Sequence, residues 1–319
     1  MLVKSRLKTI KDIILKKLLT LITLSILLSL ANAQTVSELI NAAQNQVEQW
    51  NFAEAVELFN KALQLDSSNA ELYYLSAAAK SDNGQKEEAI AEFTKSIELG
   101  INNEDVYYSR GLDYEYIQEY DKAARDLTRF LQSNPDYSSA YYVRAMCNHQ
   151  LDKYDAAISD FSKTIELEPD HEDISLIYYL RAYSYSDNAQ YDKAILDLNK
   201  AQELDPDNKM IIYRILQVTT KAGNYEEAIS ECTKLINEDK KDIEAYGIRS
   251  DAYLGQKEYT LAIKDLNSAL KLYPRAEVYY SRGKAYFQMG NKKKALKDFK
   301  KTLKLEPGFR DCQKLIDNM

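Results

Sequence analysis

The sequence predicts an all-α solenoid, a stack of short two-helix repeats rather than a domain around one core. Two observations carry this. All five prolines of the 319-residue chain fall on one lattice, with Pro135, Pro169, Pro206, Pro274 and Pro307 separated by 34, 37, 68 and 33 residues. Proline has no backbone N–H and cannot continue a helix, so it sits just past helix ends. With each proline set at position 32 of a repeat, position 20 is alanine in all eight repeats: Ala55, Ala89, Ala123, Ala157, Ala194, Ala228, Ala262 and Ala295.

Taken in order, the repeats span 36–69, 70–103, 104–137, 138–171, 175–208, 209–242, 243–275 and 276–309, with a cap at 310–319. In the first helix of each, positions 4, 8 and 11 share one face. Position 8 is mostly small: Ala43, Ala77, Gly111, Ala145, Ala182, Ser250 and Gly283, with Leu216 the exception. Gly84, Gly223 and Gly290 at position 15 break the chain between the two helices. In the second helix, positions 17, 20, 24 and 27 form a buried stripe at helical spacing. Position 17 is mostly aromatic (Phe52, Tyr120, Tyr154, Tyr191, Tyr225, Tyr259). Position 24 is apolar: Phe59, Phe93, Leu127, Phe161, Leu198, Cys232, Leu266 and Phe299. Repeats one, two and six carry Ser67, Ile101 and Lys240 where the others have proline, and residues 172–174 are an insertion. The cap should turn Leu315 and Ile316 inward and Arg310, Asp311, Lys314 and Asp317 outward. One such repeat cannot bury its apolar face alone, so neighbours must stack and stability becomes a sum of repeat and interface contributions.

A 34-residue helix-turn-helix unit with these small residues resembles the tetratricopeptide repeat (TPR). In repeat three the residues that carry the likeness are Gly111, Tyr114, Tyr120, Ala123, Leu127 and Pro135. The tryptophan common at position 4 of that family is absent, and Tyr73, Tyr107, Tyr141, Tyr178, Tyr246 and Tyr279 stand there. The resemblance implies a right-handed superhelix whose first helices line a concave groove.

The first 33 residues differ in kind. Lys4, Arg6, Lys8, Lys11, Lys16 and Lys17 precede the apolar run 18–30, and Ala31-Asn32-Ala33 follows. This is the pattern of a secretory signal peptide. The run is shorter than the roughly 20 residues of a membrane span, and only an uncleaved leader would bring the protein into contact with a membrane. The expected location is therefore outside the cytoplasm, in the periplasm, at the cell surface or secreted, and the composition suggests a bacterium. The formal net charge is −7, and removing the leader's excess of five positive charges leaves about −12. An acidic mature chain disfavours nucleic acid as a partner. Repeat eight is the local exception, with Lys292, Lys293, Lys294, Lys297, Lys300, Lys301 and Lys304 on its second helix; a charge run of this kind is usually a solvated face. Cys147, Cys232 and Cys312 lack CxxC spacing and read as small buried hydrophobes rather than bridges.

No catalytic constellation, metal-ligand spacing or cofactor motif stands out. His149 and His171 are the only histidines. His149 is expected on the exposed face of its helix, and Trp50, the only tryptophan, is expected to pack at a turn. One charged pattern recurs. Position 7 is Arg110, Arg144, Arg181, Arg249 and Arg282, and the same five repeats have Asp126, Asp160, Asp197, Asp265 and Asp298 at position 23. A guanidinium on the packed side of a helix needs a carboxylate, so repeated structural Arg–Asp bridges are expected, within one repeat or between neighbours.

The opposite face of the first helix, positions 2, 5, 9 and 12, is the candidate binding face. Position 5 is tyrosine in six of eight repeats: Tyr74, Tyr108, Tyr142, Tyr179, Tyr213 and Tyr280, with Met146, Tyr183 and Phe287 beside the row. Such a ladder offers apolar area and hydroxyls to a partner, or else packs adjacent first helices. Within the resembled family, chaperone-tail carboxylates are held by lysine and asparagine at these positions. Here position 9 is Ala78, Leu112, Met146 or Tyr183, and only Asn41 matches in type, so a carboxylate clamp is not expected. The sequence thus points to a non-catalytic protein-interaction scaffold that takes a protein or peptide partner. A receptor for peptide or cell-wall ligands, or an accessory subunit of an envelope enzyme or assembly complex, is the alternative.

Overall fold

The computed structural model describes residue 17 and residues 20–25, 33–309 and 312–319. The leader therefore lies largely outside the described residues, as do Arg310 and Asp311 of the cap. Every regular element among the described residues is helical. After a helical stretch at 20–25 come α1 (33–48), α2 (Phe52–Leu65), α3 (Ala70–Asp82), α4 (Lys86–Glu98), α5 (Asp105–Tyr116), α6 (Tyr120–Ser133) and α7 (Ser138–Gln150). Then follow α8 (Tyr154–Leu167), α9 (Ile174–Asp187), α10 (Tyr191–Leu204), α11 (Lys209–Lys221) and α12 (Tyr225–Glu238). The last are α13 (Ile243–Gly255), α14 (Tyr259–Leu272), α15 (Ala276–Gln288), α16 (Lys292–Leu305) and the short α17 (Cys312–Asp317). No helix among the described residues is long and apolar enough to cross a membrane.

The chain divides into two compact bodies, Met1–Leu151 and Asp152–Met319. In the first, each helix from α2 to α7 packs on the next in sequence. In the second, α8 to α17 do the same, and α11 and α13, first helices of adjacent repeats, also touch directly. This is the short-range pattern of an α-solenoid. All eight position-20 alanines are 0 % exposed, and every position-24 side chain is at most 1 % exposed. Position 8 is small because position 24 of the same repeat fills the space above it. A Cβ at Gly111 would press on Leu127, and one at Gly283 would collide with the Phe299 ring.

Helix ends follow local chemistry. The residue before each proline leaves the helical region, as Asn134 does at φ −127° and ψ 64°, because the proline ring disfavours a helical neighbour. Repeats without proline stop by other means. Asp66 accepts the N–H of Ser68 at 3.1 Å and Asp239 that of Lys241 at 2.8 Å, while repeat two uses left-handed Gly100 at φ 82°. The turn inside each repeat is more uniform than its sequence. Position 15 is left-handed in every repeat, at Gly84, Gly223 and Gly290 but also at Trp50, Gln118, Asp152, Ala189 and Lys257. The next N–H then reaches back five residues, for example from Gln190 to the Tyr185 carbonyl at 2.8 Å, closing the first helix with a Schellman-type bond. Trp50 departs from expectation. It is 80 % exposed and meets the Phe52 ring edge-on at 5.8 Å, because the left-handed backbone aims its side chain off the turn instead of into the stack. The insertion at 172–174 forms a turn in which His171 Nδ1 accepts the Asp173 N–H at 3.0 Å. His149 is half-buried on α7 rather than exposed.

The cap behaves as expected within its described part. Leu315 and Ile316 join Phe309, Cys312 and Phe299 in one cluster, while Lys314 and Asp317 are exposed. All three cysteines are free and buried. Burial pushes the Cys147 and Cys232 thiols up to about 12, so neither is a nucleophile near neutral pH.

Candidate functional site: two faces of the first helices

The packed face carries the arginines. Arg110 grips Asp126 with Nε and Nη2 at 2.7 and 2.8 Å, and Arg181 grips Asp197 with both at 2.7 Å. Arg249 holds Asp265 at 2.7 and 2.8 Å, and Arg282 holds Asp298 at 2.8 Å through both atoms. The partner is thus in the same repeat. Planar fork against planar carboxylate satisfies both oxygens at once. Burial opposes the charge on Arg110 and Arg181, yet the aspartate bonds outweigh it and hold both above the usual range. For Arg249 and Arg282 the bond to aspartate is the leading cause and acts in the same direction.

The remaining Nη1 crosses to the preceding repeat, a contact the sequence reading missed. It meets Thr94 from Arg110 at 2.9 Å, Thr128 from Arg144 at 3.0 Å, Ser162 from Arg181 at 3.0 Å, Thr233 from Arg249 at 2.8 Å and Asn267 from Arg282 at 2.6 Å. All five acceptors are position 25, so the signal was available as a recurring hydroxyl or amide one residue after the position-24 stripe. Each hydroxyl donates its own proton to the carbonyl four residues back, as Thr94 does to Ile90 at 2.7 Å, leaving a lone pair for the arginine. Tyrosines at positions 4 and 11 sandwich the guanidinium. Tyr107 and Tyr114 lie 5.9 and 5.6 Å from Arg110, and Tyr246 and Tyr253 lie 5.8 and 6.0 Å from Arg249. Arg144 stacks on Tyr141 at 5.3 Å, and Asp160 is 6 % exposed on α8.

The tyrosine row does not stand opposite the packed face as expected: all nine side chains assigned to it are half-buried, and Tyr74, Tyr108, Tyr179, Tyr213 and Tyr280 pack against core clusters, because position 5 is only about 60° around the helix from position 8. In the first body Tyr74 lies 5.9 Å from Phe93, and Tyr108 lies 5.0 Å from both Phe130 and Tyr137. Burial pushes the Tyr108 phenol up to about 12. Tyr142 and Met146 are on α7. In the second body the Tyr213 hydroxyl donates to Asp242 at 2.8 Å; that aspartate caps α13 by accepting from the Ala245 N–H at 2.9 Å. Tyr179 accepts from Arg214 Nε at 3.3 Å, and the same arginine lies 4.5 Å from the Tyr183 ring. Tyr280 contacts Phe299 at 5.9 Å and Phe309 at 5.1 Å, with Phe287 in the same cluster. Most of these contacts stay within one repeat; Tyr179 and Tyr183 reach Arg214 of the next repeat, and Tyr213 reaches the aspartate that caps the next first helix, links that sequence alone did not reveal.

The basic helix α16 is exposed at all seven lysines. Lys292 reaches the main-chain oxygen of Met319 at 2.7 Å, Lys294 covers Tyr286 at 5.1 Å and Lys301 covers Tyr279 at 6.0 Å.

Family models described as tetratricopeptide repeat match residues 40–104, 108–172, 176–208, 243–275 and 276–309. Among solved structures, "YrrB: a TPR protein with an unusual peptide-binding site" is 25 % identical, with 58 % of this chain and 97 % of that one covered and a TM-score of 0.52. MamA is 24 % identical, with 55 % and 93 % covered and a TM-score of 0.50. MamA 41-end from Desulfovibrio magneticus RS-1 is 18 % identical, with 55 % and 97 % covered and a TM-score of 0.50. The two MamA likenesses are of fold alone. Nothing among the curated proteins matches. With the repeat models covering most of the array and the helix pairs stacked as described, the chain belongs to the tetratricopeptide repeat family.

Proposed function

We propose that this chain is an exported, non-catalytic interaction scaffold whose first-helix face holds an extended segment of a partner protein. The observation that carries this is the half-buried tyrosine row. Each ring is braced by internal contacts and still partly open, the rigid aromatic material that recognition surfaces favour. The peptide-binding site named for the similar YrrB structure supports the same use of the fold. Export rests on the basic, then apolar, then small-residue order of the first 33 residues.

Photo-crosslinking in the source cells tests the face. A crosslinking amino acid at Tyr74, Tyr142 or Tyr179 should capture one protein through one contiguous segment, whereas the same probe at exposed Leu196 on α10 should not. Equal capture from both faces sinks the groove reading. Sequencing the mature N-terminus tests export: a start at Gln34 supports it, and recovery of Met1 from the native protein overturns cleavage.

A further inference from the structure

The tyrosine row has a gap at repeat seven, where position 5 is Gly247. It lies inside α13, where glycine costs about 1 kcal/mol relative to alanine. The other glycines inside α5, α13 and α15 have a packing reason. A Cβ at Gly111 meets Leu127, one at Gly283 meets Phe299 and one at Gly255 would collide with Tyr225. A Cβ at Gly247 meets nothing within 4 Å. Steric packing therefore does not explain this glycine, and without a side chain it leaves the space beside it unfilled.

That space is a cleft of about 330 Å³ between α11, α13 and α15. Its floor is apolar, with Ile248 4 % and Leu266 1 % exposed. Its rim is charged: the residues that line it include three carboxylates, Glu244, Asp251 and Glu277, and one cation, Arg275, whose Nη1 is bound to Glu244 at 2.8 Å. An apolar floor under a rim with excess negative charge suits a side chain with an aliphatic stem and a cationic end. We infer that the cleft over Gly247 is a specificity pocket for a lysine or arginine side chain of the bound segment. This rests on the groove reading and adds to it the chemistry of one anchor residue.

The test is a positional-scanning library of immobilised decapeptides probed with the full chain. The native protein should prefer Lys or Arg over Gln at one peptide position by about fivefold to tenfold, and the preference should shrink with added salt. Gly247→Tyr, which extends the tyrosine row into the gap, should fold at least as stably and bring the preference to within about twofold of none. Asp251→Asn with Glu277→Gln should retain peptides and lose the preference, which keeps the test valid if tyrosine disturbs α13. A Lys/Arg preference undiminished in either variant overturns the pocket while the groove reading stands. Retention of no peptide by the native protein overturns both.

Discussion

Repeats two and seven place charge between stacked helices in different ways. Repeat seven uses Arg249, held by Asp265 through two bonds, by Thr233 through a third, and flanked by two tyrosines. Repeat two has Ser76 at that position. It pairs Lys80 with Glu92 at 2.5 Å, and its Lys86 reaches Asp113 of repeat three at 2.9 Å. The consequence shows in the oxygens. Both carboxylate oxygens of Asp265 are bonded, while Glu92 Oε2 and Asp113 Oδ2 are buried with no hydrogen-bond partner among the described residues. A guanidinium presents a planar fork that matches a carboxylate, whereas an ammonium satisfies one oxygen as a point charge. Lys86 also stands at position 17, which is aromatic in six repeats. The Lys86–Asp113 pair thus replaces an apolar contact with an ionic one.

The largest expected effect lies in repeat seven. Asp265→Ala leaves a mostly buried guanidinium unpaired and should cost about 3–5 kcal/mol, read as a drop in the urea midpoint and as faster hydrogen exchange across α13 and α14. A loss below about 1 kcal/mol would mean that Thr233 and the tyrosines alone suffice. Next comes repeat two. Lys86→Ala leaves the buried Asp113 carboxylate with the Ser81 hydroxyl but without its counter-charge and should cost about 3 kcal/mol, whereas Lys86→Tyr combined with Asp113→Ala should be neutral or stabilising by about 1–3 kcal/mol, as replacement of a buried ion pair often is. If the double variant is as unstable as Lys86→Ala, the pair is not a substitute for the aromatic contact. The smallest effect lies in the turns, where repeat two has Gly84 at φ 80° and repeat seven has Lys257 at φ 63°. Lys257→Gly should stabilise by about 1 kcal/mol or less, and Gly84→Ala should destabilise by about 1 kcal/mol. Equal and opposite thermal shifts would show that backbone strain alone separates the two turns.

Much of this was legible in the chain. The position-20 alanines and the position-24 stripe gave the buried seam, because close helix approach admits few side chains and repetition multiplies a weak signal. The pairing of Arg110 with Asp126, and of three further arginines with aspartates, followed from the need of a buried charge for a counter-charge. Other features were less legible. Trp50 looked like packing material, but a left-handed backbone, allowed at that turn in glycine-free repeats too, carried it into solvent. The position-25 acceptors escaped notice because threonine, serine and asparagine do not read as one class until a shared donor is seen.

The sequence by itself determined the repeat, the helix ends and which side chains are interior, since these depend on local chemistry and on spacing along a helix. Only the tertiary structure decided how the tyrosine row is spent and what Gly247 leaves open. Those outcomes depend on which groups of the packed helices come within reach, such as Arg214 of the next repeat for Tyr179, Phe130 and Tyr137 of the same repeat for Tyr108, and none within 4 Å of a Cβ at Gly247. Distances between repeats are set by stacking, and no spacing along one helix encodes them.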